Sequence, residues 1–405
     1  MASSASNSNN YWVAEAQLVT ENARKEKAEK LKDVGAPIEL PGKPLLVHVR
    51  DSEAWIAEST SVVRRIDLET GKTKQLYKGH KGPVTTIAFF NKDLGTEANQ
   101  LLLSGSWDKT IKVWDTNTKQ EISSTEAHSD FVKALFVFPA LKLLVSSGSD
   151  KVVRLWDLSP VYEGRPLQSL GAISSHSRPV SCLEGKVISD TQAILYTGDT
   201  MGIIKVWVLN RGLDADSGWK ATQREELSNH RTRVNEMTLA NEQLWTASTD
   251  ETVQVHSEPP PNLAPTLVVP TITHPLPVRA LLLLSATDLS EPYLLTGSGD
   301  IIRVWDISSL KEPELLAEVD AHWHDVVALR LWRKVSATTT SQQIEPWIIS
   351  ASLDGTIRKW KLADLLNGNA AKEVVKALEQ KSVPRGPQFE LSAEEERELA
   401  ELDDC

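Results

Sequence analysis

Histidine, a hydroxyl residue and aspartate recur together along this chain. His80, Ser104 and Asp108 form one set, His128, Ser146 and Asp150 another, and His322, Ser350 and Asp354 a third. His230, Thr246 and Asp250 repeat the set with threonine. Such a set suggests acyl transfer, in which the imidazole takes the hydroxyl proton and the carboxylate orients the ring. The repetition argues against that chemistry, because a nucleophile site is normally unique, and no strand–turn–helix G-x-S-x-G accompanies any copy. No metal, phosphate or cofactor site stands out either. The nine His are spread with no Cys partners, and no G-x-x-x-x-G-K-[ST] occurs. The Asp354-Gly355 pair sits in a turn of the repeat and not in a calcium loop. The expectation is a non-enzyme without cofactor or metal.

The elements that hold these residues repeat as well. "SGSWDKTIKVWD" ends at Trp114-Asp115, "SSGSDKVVRLWD" at Trp156-Asp157, "GSGDIIRVWD" at Trp305-Asp306 and "SASLDGTIRKW" at Trp360. Weaker copies end at Trp207 and His256. A period of about 40–50 residues, each unit a small antiparallel sheet, is the signature of a β-propeller. Counting units gives seven, so the predicted fold is all-β: one seven-bladed propeller with N- and C-terminal helical extensions. The chain divides into a disordered segment and helix at 1–35, the propeller at 36–361, and a helical, acidic tail at 362–405. Most of the 13 Trp belong to blade cores and turns.

Composition narrows the function classes. The chain of 405 residues carries a net charge of −11, which opposes direct nucleic-acid binding or attraction to an anionic membrane. Two Cys, Cys182 and Cys405, make disulfide stapling irrelevant and fit a reducing compartment. No apolar run approaches a membrane span, and the Ser/Asn-rich start lacks the features of a secretory leader. The expected location is intracellular, cytoplasmic or nuclear. A closed ring needs no second copy, so a monomer is expected.

At the ends, residues 11–33 read as a helix with a narrow apolar face of Trp12, Ala16, Val19 and Ala23. After Trp360 the chain reads as helix again, which leaves the last blade without an outer strand. The short "APIEL" at 36–40 is expected to supply it and seal the ring. Residues 369–381 suggest an amphipathic helix with Val374, Val375 and Leu378 apolar. A linker at 382–389 precedes Ser392-x-x-Glu395, which resembles a capping box. Residues 394–404 hold seven acidic side chains, either a frayed terminus or a segment for a basic partner.

The units resemble WD40 repeats over roughly residues 44–361. That resemblance implies a hydrogen-bonded network in each blade, from a His before the first strand, a Ser/Thr in the second, an Asp in the following turn and a Trp indole in the third. The sets are His80–Ser104–Asp108–Trp114, His128–Ser146–Asp150–Trp156 and His322–Ser350–Asp354–Trp360. Other units depart from it. Unit 1 has Ile66 for the Trp and no His. Unit 4 has Met201 at the Asp position with Asp199 close by. Unit 5 has His256 for the Trp, and the turn of unit 6 is one residue short. Blades 1, 4 and 5 are therefore expected to be less rigid unless other packing substitutes.

The resemblance also implies a top face built from the turns around each His and each Asp. Lys81, Trp107, Ser129, Arg178, Arg231, Trp323, His324 and Leu353 would approach it, with Trp107 and Trp323 as exposed aromatic anchors. Insertions at 91–100, 185–192, 285–293 and 334–346, and a loop at 209–223, would project from the bottom. A proline-rich stretch at 257–265 reads as an extended crossing. The leading functional reading is a non-enzymatic protein–protein interaction scaffold or adaptor subunit of a larger assembly. One alternative is a recognition module for a peptide or modified peptide: a phosphopeptide, histone tail, ubiquitin or degron. Arg178 and Arg231 favour phosphate over methyl-lysine within that class. The other is a ribosome-biogenesis or ribonucleoprotein assembly factor that binds a basic protein.

Overall fold

The computed structural model describes residues 15–91, 100–212, 218–257, 271–337 and 342–380. Its strands form seven four-stranded antiparallel sheets. In six of them the strands are consecutive, forming blades 1 to 6 at 44–78, 84–126, 132–173, 180–227, 234–273 and 278–319. Burial explains the order within a blade. The second strand of blade 2, Gln100–Ser106, is buried along its whole length because sheets flank both its faces. The third strand, Thr110–Asp115, alternates, with Ile111 and Val113 inside and Lys112 towards solvent.

Blade 7 closes the ring. It joins Val326–Ala337, Gln342–Ser352 and Thr356–Lys361 to an outer strand from the start of the chain, Ile38–Glu39. Ile38 pairs with Ile357 and Glu39 with Thr356, antiparallel, and the Leu40 amide donates to Gly355 O at 2.8 Å. The segment predicted to seal the ring thus does so.

Helix α1 (Glu15–Lys30) leads into this seal, and α2 (Leu362–Leu366) and α3 (Asn369–Gln380) follow it. Ala23 is exposed, so the narrow apolar face does not lie against the propeller there. Trp12 lies outside the described residues. Attachment comes instead from the C-terminal end of α1. Lys27 pairs with Asp300 and Asp320, while Leu31 and Val34 are buried with Trp360, Leu362, Leu365 and Val374 in one apolar cluster that includes Val304 and Val319 of blade 6. Of the apolar positions predicted for α3, Val374 is buried, Leu378 packs at the edge of this cluster, and Val375 faces solvent.

The buried Arg358 guanidinium fastens the junction. Its Nη1 donates to Leu31 O at 2.7 Å and Val34 O at 2.5 Å, and the Lys359 amide donates to Gly35 O at 2.7 Å. Gly35 has φ +68, and a Cβ there would sit 2.8 Å from the Trp360 ring, so both backbone and space require glycine.

Two expected insertions are strand. Val180–Ser189 and Gln192–Asp199 run to a tight turn, and the strands of blade 7 extend to Ala337 and from Gln342. Pairing through the hairpin satisfies backbone groups that a loop would leave to water. The loop expected at 209–223 is largely strand too, since Ile204–Arg211 and Trp219–Leu227 pair as far as Arg211 and Trp219, with 213–217 outside the described residues. The loops at 91–100 and 257–265 lie largely outside the described residues, and the capping box and acidic tail wholly so.

Arg358→Met should lower stability by about 3 kcal/mol, because two carbonyls lose a charged donor. In urea denaturation with hydrogen exchange, residues 31–40 should lose protection first; unchanged protection there would refute the fastening role.

Candidate functional site

The recurrent hydroxyls lie inside the blades. In blade 2, His80 Nδ1 is 2.8 Å from Asp108, and Ser104 Oγ is 2.8 Å from both His80 Nε2 and Trp114 Nε1. Blade 3 repeats this with His128, Asp150, Ser146 and Trp156 at 3.0, 2.8 and 2.8 Å. Blade 7 does so with His322, Asp354, Ser350 and Trp360 at 2.8, 2.8 and 2.9 Å. Burial holds His128 and His322 below the usual imidazole range, against the pull of their Asp partners. A neutral ring donates Nδ1–H to the Asp and accepts the Ser proton at Nε2, while the Trp N–H donates to the same Ser oxygen. Although burial raises the Asp354 carboxyl, hydrogen bonds from His322 and Thr356 outweigh that and hold it at about 2. Ser104, Ser146 and Ser350 are fully buried. Each hydroxyl meets only the imidazole and indole of its own blade and is closed off from solvent.

The departures resolve in different ways. Blade 4 is complete, contrary to expectation. Asp199 reaches His176 at 3.1 Å from the end of its strand, and Thr197 joins His176 and Trp207 at 2.7 and 2.9 Å. Blade 1 replaces hydroxyl and indole with Ile56 and Ile66, both buried, which need no polar partner, and adds a buried Arg64–Glu58 pair. Blade 5 keeps His230–Asp250 and His230–Thr246, but His256 Nε2 has no hydrogen-bond partner. In blade 6, His274 meets Thr296 at 2.9 Å while its Nδ1 is unpartnered. Asp300 turns outward to Lys27 instead. The short turn lacks the residue that follows the Asp in blades 2, 3, 5 and 7, so the carboxylate is not folded back onto the ring.

A second repeated feature shapes the top face. The first strand of every blade carries a β-bulge just after it begins. The bulged residues line the upper part of a cavity of about 570 Å³ walled by the first strands of all seven blades. In blades 2, 4 and 5 the bulged side chain staples to the next blade: Thr85 to Val132 O, Ser181 to Val234 O and Asn235 to Val278 O, at 2.6, 2.7 and 2.7 Å. Blades 1 and 7 carry Leu45 and Val327. Blades 3 and 6 carry cations, Lys133 and Arg279.

The position two residues earlier forms an outer ring. Its carbonyl accepts the amide of the turn after the second strand, as in Trp107 N to Pro83 O (3.0 Å) and Ser149 N to Phe131 O (2.8 Å). Blades 2, 4 and 6 place Pro here; blades 3, 5 and 7 place Phe131, Arg233 and Asp325. Phe131 stacks on Trp107 with centroids 4.8 Å apart and planes 16° from parallel. Lys133 Nζ lies 5.7 Å from both ring centroids. Trp107 is 41% and Phe131 36% exposed. The pair thus lies flat at the surface with a cation at its border.

The other predicted residues separate. The amides of Lys81, Ser129 and Arg231 donate to the blade Asp at 2.9, 3.1 and 2.8 Å. The Ser129 hydroxyl also donates to Asp150 at 3.4 Å, and none of the three side chains lines the cavity. Arg178 and Arg231 are exposed and likewise stand away from the cavity; Arg231 Nη2 donates to Asp250 O at 3.3 Å. Trp323 is half-buried and tilted beside His324, with centroids 6.2 Å apart. His324 accepts the Asp325 amide and lies in the field of Arg24 of α1. Leu353, half-buried, is tied by its amide to Asp325 O at 3.0 Å. Trp107 thus has the exposed platform predicted for it, and Trp323 does not. Phe131, Lys133, Arg233 and Arg279 escape a reading centred on the His turns. The signal that finds them is the Val opening six of the first strands (Val84, Val132, Val180, Val234, Val278, Val326), on which these positions align.

Ser146→Ala should cost about 2 kcal/mol, because it strands the Trp156 N–H and the His128 ring in a dry interior; a denaturation midpoint within error of the parent would refute this. Burial lowers His256 and His274 from 6.5 to about 4. The unfolded chain therefore binds protons that the native state excludes. Stability should be flat above about pH 7 and fall towards pH 4 by about 1.4 kcal/mol per unit for each ring. His256→Phe should remove one ring's share of that slope in urea titrations across this range.

A family model for the WD domain, G-beta repeat (WD40), matches residues 71–115 and 119–157. An uncharacterized WD repeat-containing protein of Schizosaccharomyces pombe is 26% identical over 420 residues, covering 97% of each chain. Shorter matches fall on Periodic tryptophan protein 2 of Saccharomyces cerevisiae, 36% identical over 18% of this chain and 7% of that protein. U3 small nucleolar RNA-associated protein 15 of S. pombe is 31% identical over 24% of this chain and 18% of its own length. Among solved structures, the computationally designed Ika8 protein superposes with a TM-score of 0.54 over 80% of this chain and 98% of its own, at 22% identity, a likeness of fold. The chain thus carries WD40 repeats at 71–157, is similar to a WD repeat-containing protein along 97% of its length, and closes into a seven-bladed β-propeller whose blades hold the indole–hydroxyl–imidazole network.

Proposed function

We propose that this chain is a non-enzymatic scaffold or adaptor subunit that brings proteins together in a larger assembly through its top face. One observation carries the reading: the exposed Trp107–Phe131 stack, bordered by Lys133, on a rim whose backbone is fixed by hydrogen bonds. A rigid rim holds binding side chains in place before a partner arrives, so little ordering is needed on contact. The hydroxyls that resemble a catalytic set are sealed inside the blades, which supports a role without covalent chemistry. Among the described residues no helix is long and apolar enough to cross a membrane, and α1 and α3 add helical surface beside blades 6 and 7.

A second reading, assembly of a ribonucleoprotein through a basic protein, draws on the partial match to U3 small nucleolar RNA-associated protein 15. The net charge of −11 favours contact with basic proteins over contact with RNA itself. The acidic residues at 394–404, outside the described residues, would suit such a partner, and this reading places the chain in the nucleus.

Quantitative affinity purification of the intact protein tests the leading reading. Trp107→Ala/Phe131→Ala should lose most of at least one stable partner, while stability changes by no more than about 1 kcal/mol because both rings are substantially exposed. Retention of every partner would refute docking at this stack.

A further inference from the structure

Three cations meet at the cavity mouth of a chain whose net charge is −11. Lys133 occupies the bulge of blade 3, Arg279 the bulge of blade 6, and Arg233 the rim position of blade 5. Arg279 Nε meets Asp325 at 2.8 Å, and Asp130 acts on Lys133 more weakly than Arg233 does. Burial first, and then the charge of Arg233, hold the Lys133 amine below its ordinary value. Desolvation, with a contribution from Arg279, does the same to Arg233, although its side chain is exposed at the rim. Like charges gathered in a partly enclosed mouth repel one another, and a negatively charged ligand relieves that repulsion.

The layout narrows the ligand. The cations come from three different blades, and Asp325 already sits 2.8 Å from the Arg279 Nε. Separate cations around a rim suit separate carboxylates along an extended chain. A nucleic acid needs a continuous basic track, whereas Glu184 and Glu236 line the cavity walls. Burial raises Glu184 to about 7, and Glu236 is paired with Arg330 at 3.0 Å. Lys133 joins the cationic mouth to the aromatic stack, because its Nζ lies 5.7 Å from both rings.

We infer that the mouth binds an extended Asp/Glu-rich segment of a partner protein, one apolar side chain resting on the Trp107–Phe131 stack and flanking carboxylates meeting Lys133, Arg233 and Arg279. This inference rests on the top-face docking reading and names the chemistry that face selects.

Fluorescence anisotropy with the full-length protein tests it. The probe is a short labelled peptide of Asp and Glu around a central Leu, compared with the same peptide in Asn and Gln, a phosphoserine peptide and a single-stranded RNA of equal length. The acidic peptide should bind best, and raising salt from about 0.1 to about 0.5 M should weaken it. Lys133→Glu/Arg233→Glu should weaken it by about tenfold or more, with a melting temperature near the parent's; if that pair unfolds, Lys133→Gln/Arg233→Gln replaces it. Equal binding of the amide peptide, tighter binding of the phosphopeptide or RNA, or no effect of charge reversal overturns the inference. If Trp107→Ala/Phe131→Ala loses native partners and charge reversal does not, this inference falls and the docking reading stands. If neither variant loses partners, both fall.

Discussion

Everything in this molecule depends on ring closure, and closure depends on an outer strand of two residues. Ile38–Glu39 pairs with Thr356–Lys361, so the first and last parts of the chain share one sheet. Two paired residues contribute little by themselves. The junction holds because Arg358 reaches from the third strand of blade 7 to the carbonyls of Leu31 and Val34, with Trp360 packed against Gly35. The C-terminal helices then cover the same apolar cluster. Without the seal, blade 7 would present an open edge and the cavity would lose part of its wall.

The polar networks are a second level of constraint, and they act locally. Each ties the turn before a blade to that blade's second and third strands through a buried hydroxyl. A dry interior makes such a network all or nothing: satisfied it fixes the turns, and incomplete it leaves a polar atom stranded. Blade 1 avoids the problem by being apolar where the others are polar. Blade 4 solves it with a carboxylate from a neighbouring position. Blades 5 and 6 each retain an orphaned imidazole nitrogen, and burial above all keeps these two histidines from protonating, so acid should act there. Fixing the turns matters for the surface, because the same turns carry Trp107 and the residues that flank each His.

Much of the fold was legible in the chain. The Trp-Asp endings and the His before six of the seven units counted the blades, and the absence of a strand after Trp360 pointed to the segment that seals the ring. These features are local, since hydrophobic alternation and turn chemistry operate within about ten residues. The site was less legible. Trp107 stood out because a large aromatic sits in a turn of small residues. Its partner Phe131 lies in the next unit and stacks only once two blades stand side by side. Trp323 looked equivalent in sequence, yet the structure holds it half-buried beside His324, in a corner near α1.

By itself the sequence determined the repeat, the number of blades and the acidic balance, which follow from residue types and their period, while the buried networks were implied by the resemblance to WD40 repeats. Tertiary structure alone decided which side chains share the cavity mouth. Lys133, Arg233 and Arg279 are far apart in the chain and belong to three separate blades. Lys133 and Arg279 become neighbours because seven bulges, one per blade, aim the same position of every first strand at a common axis, and Arg233 joins them from the rim position two residues before the bulge of blade 5. Closing the ring turns a linear repeat into a circle, and only a circle brings those positions together.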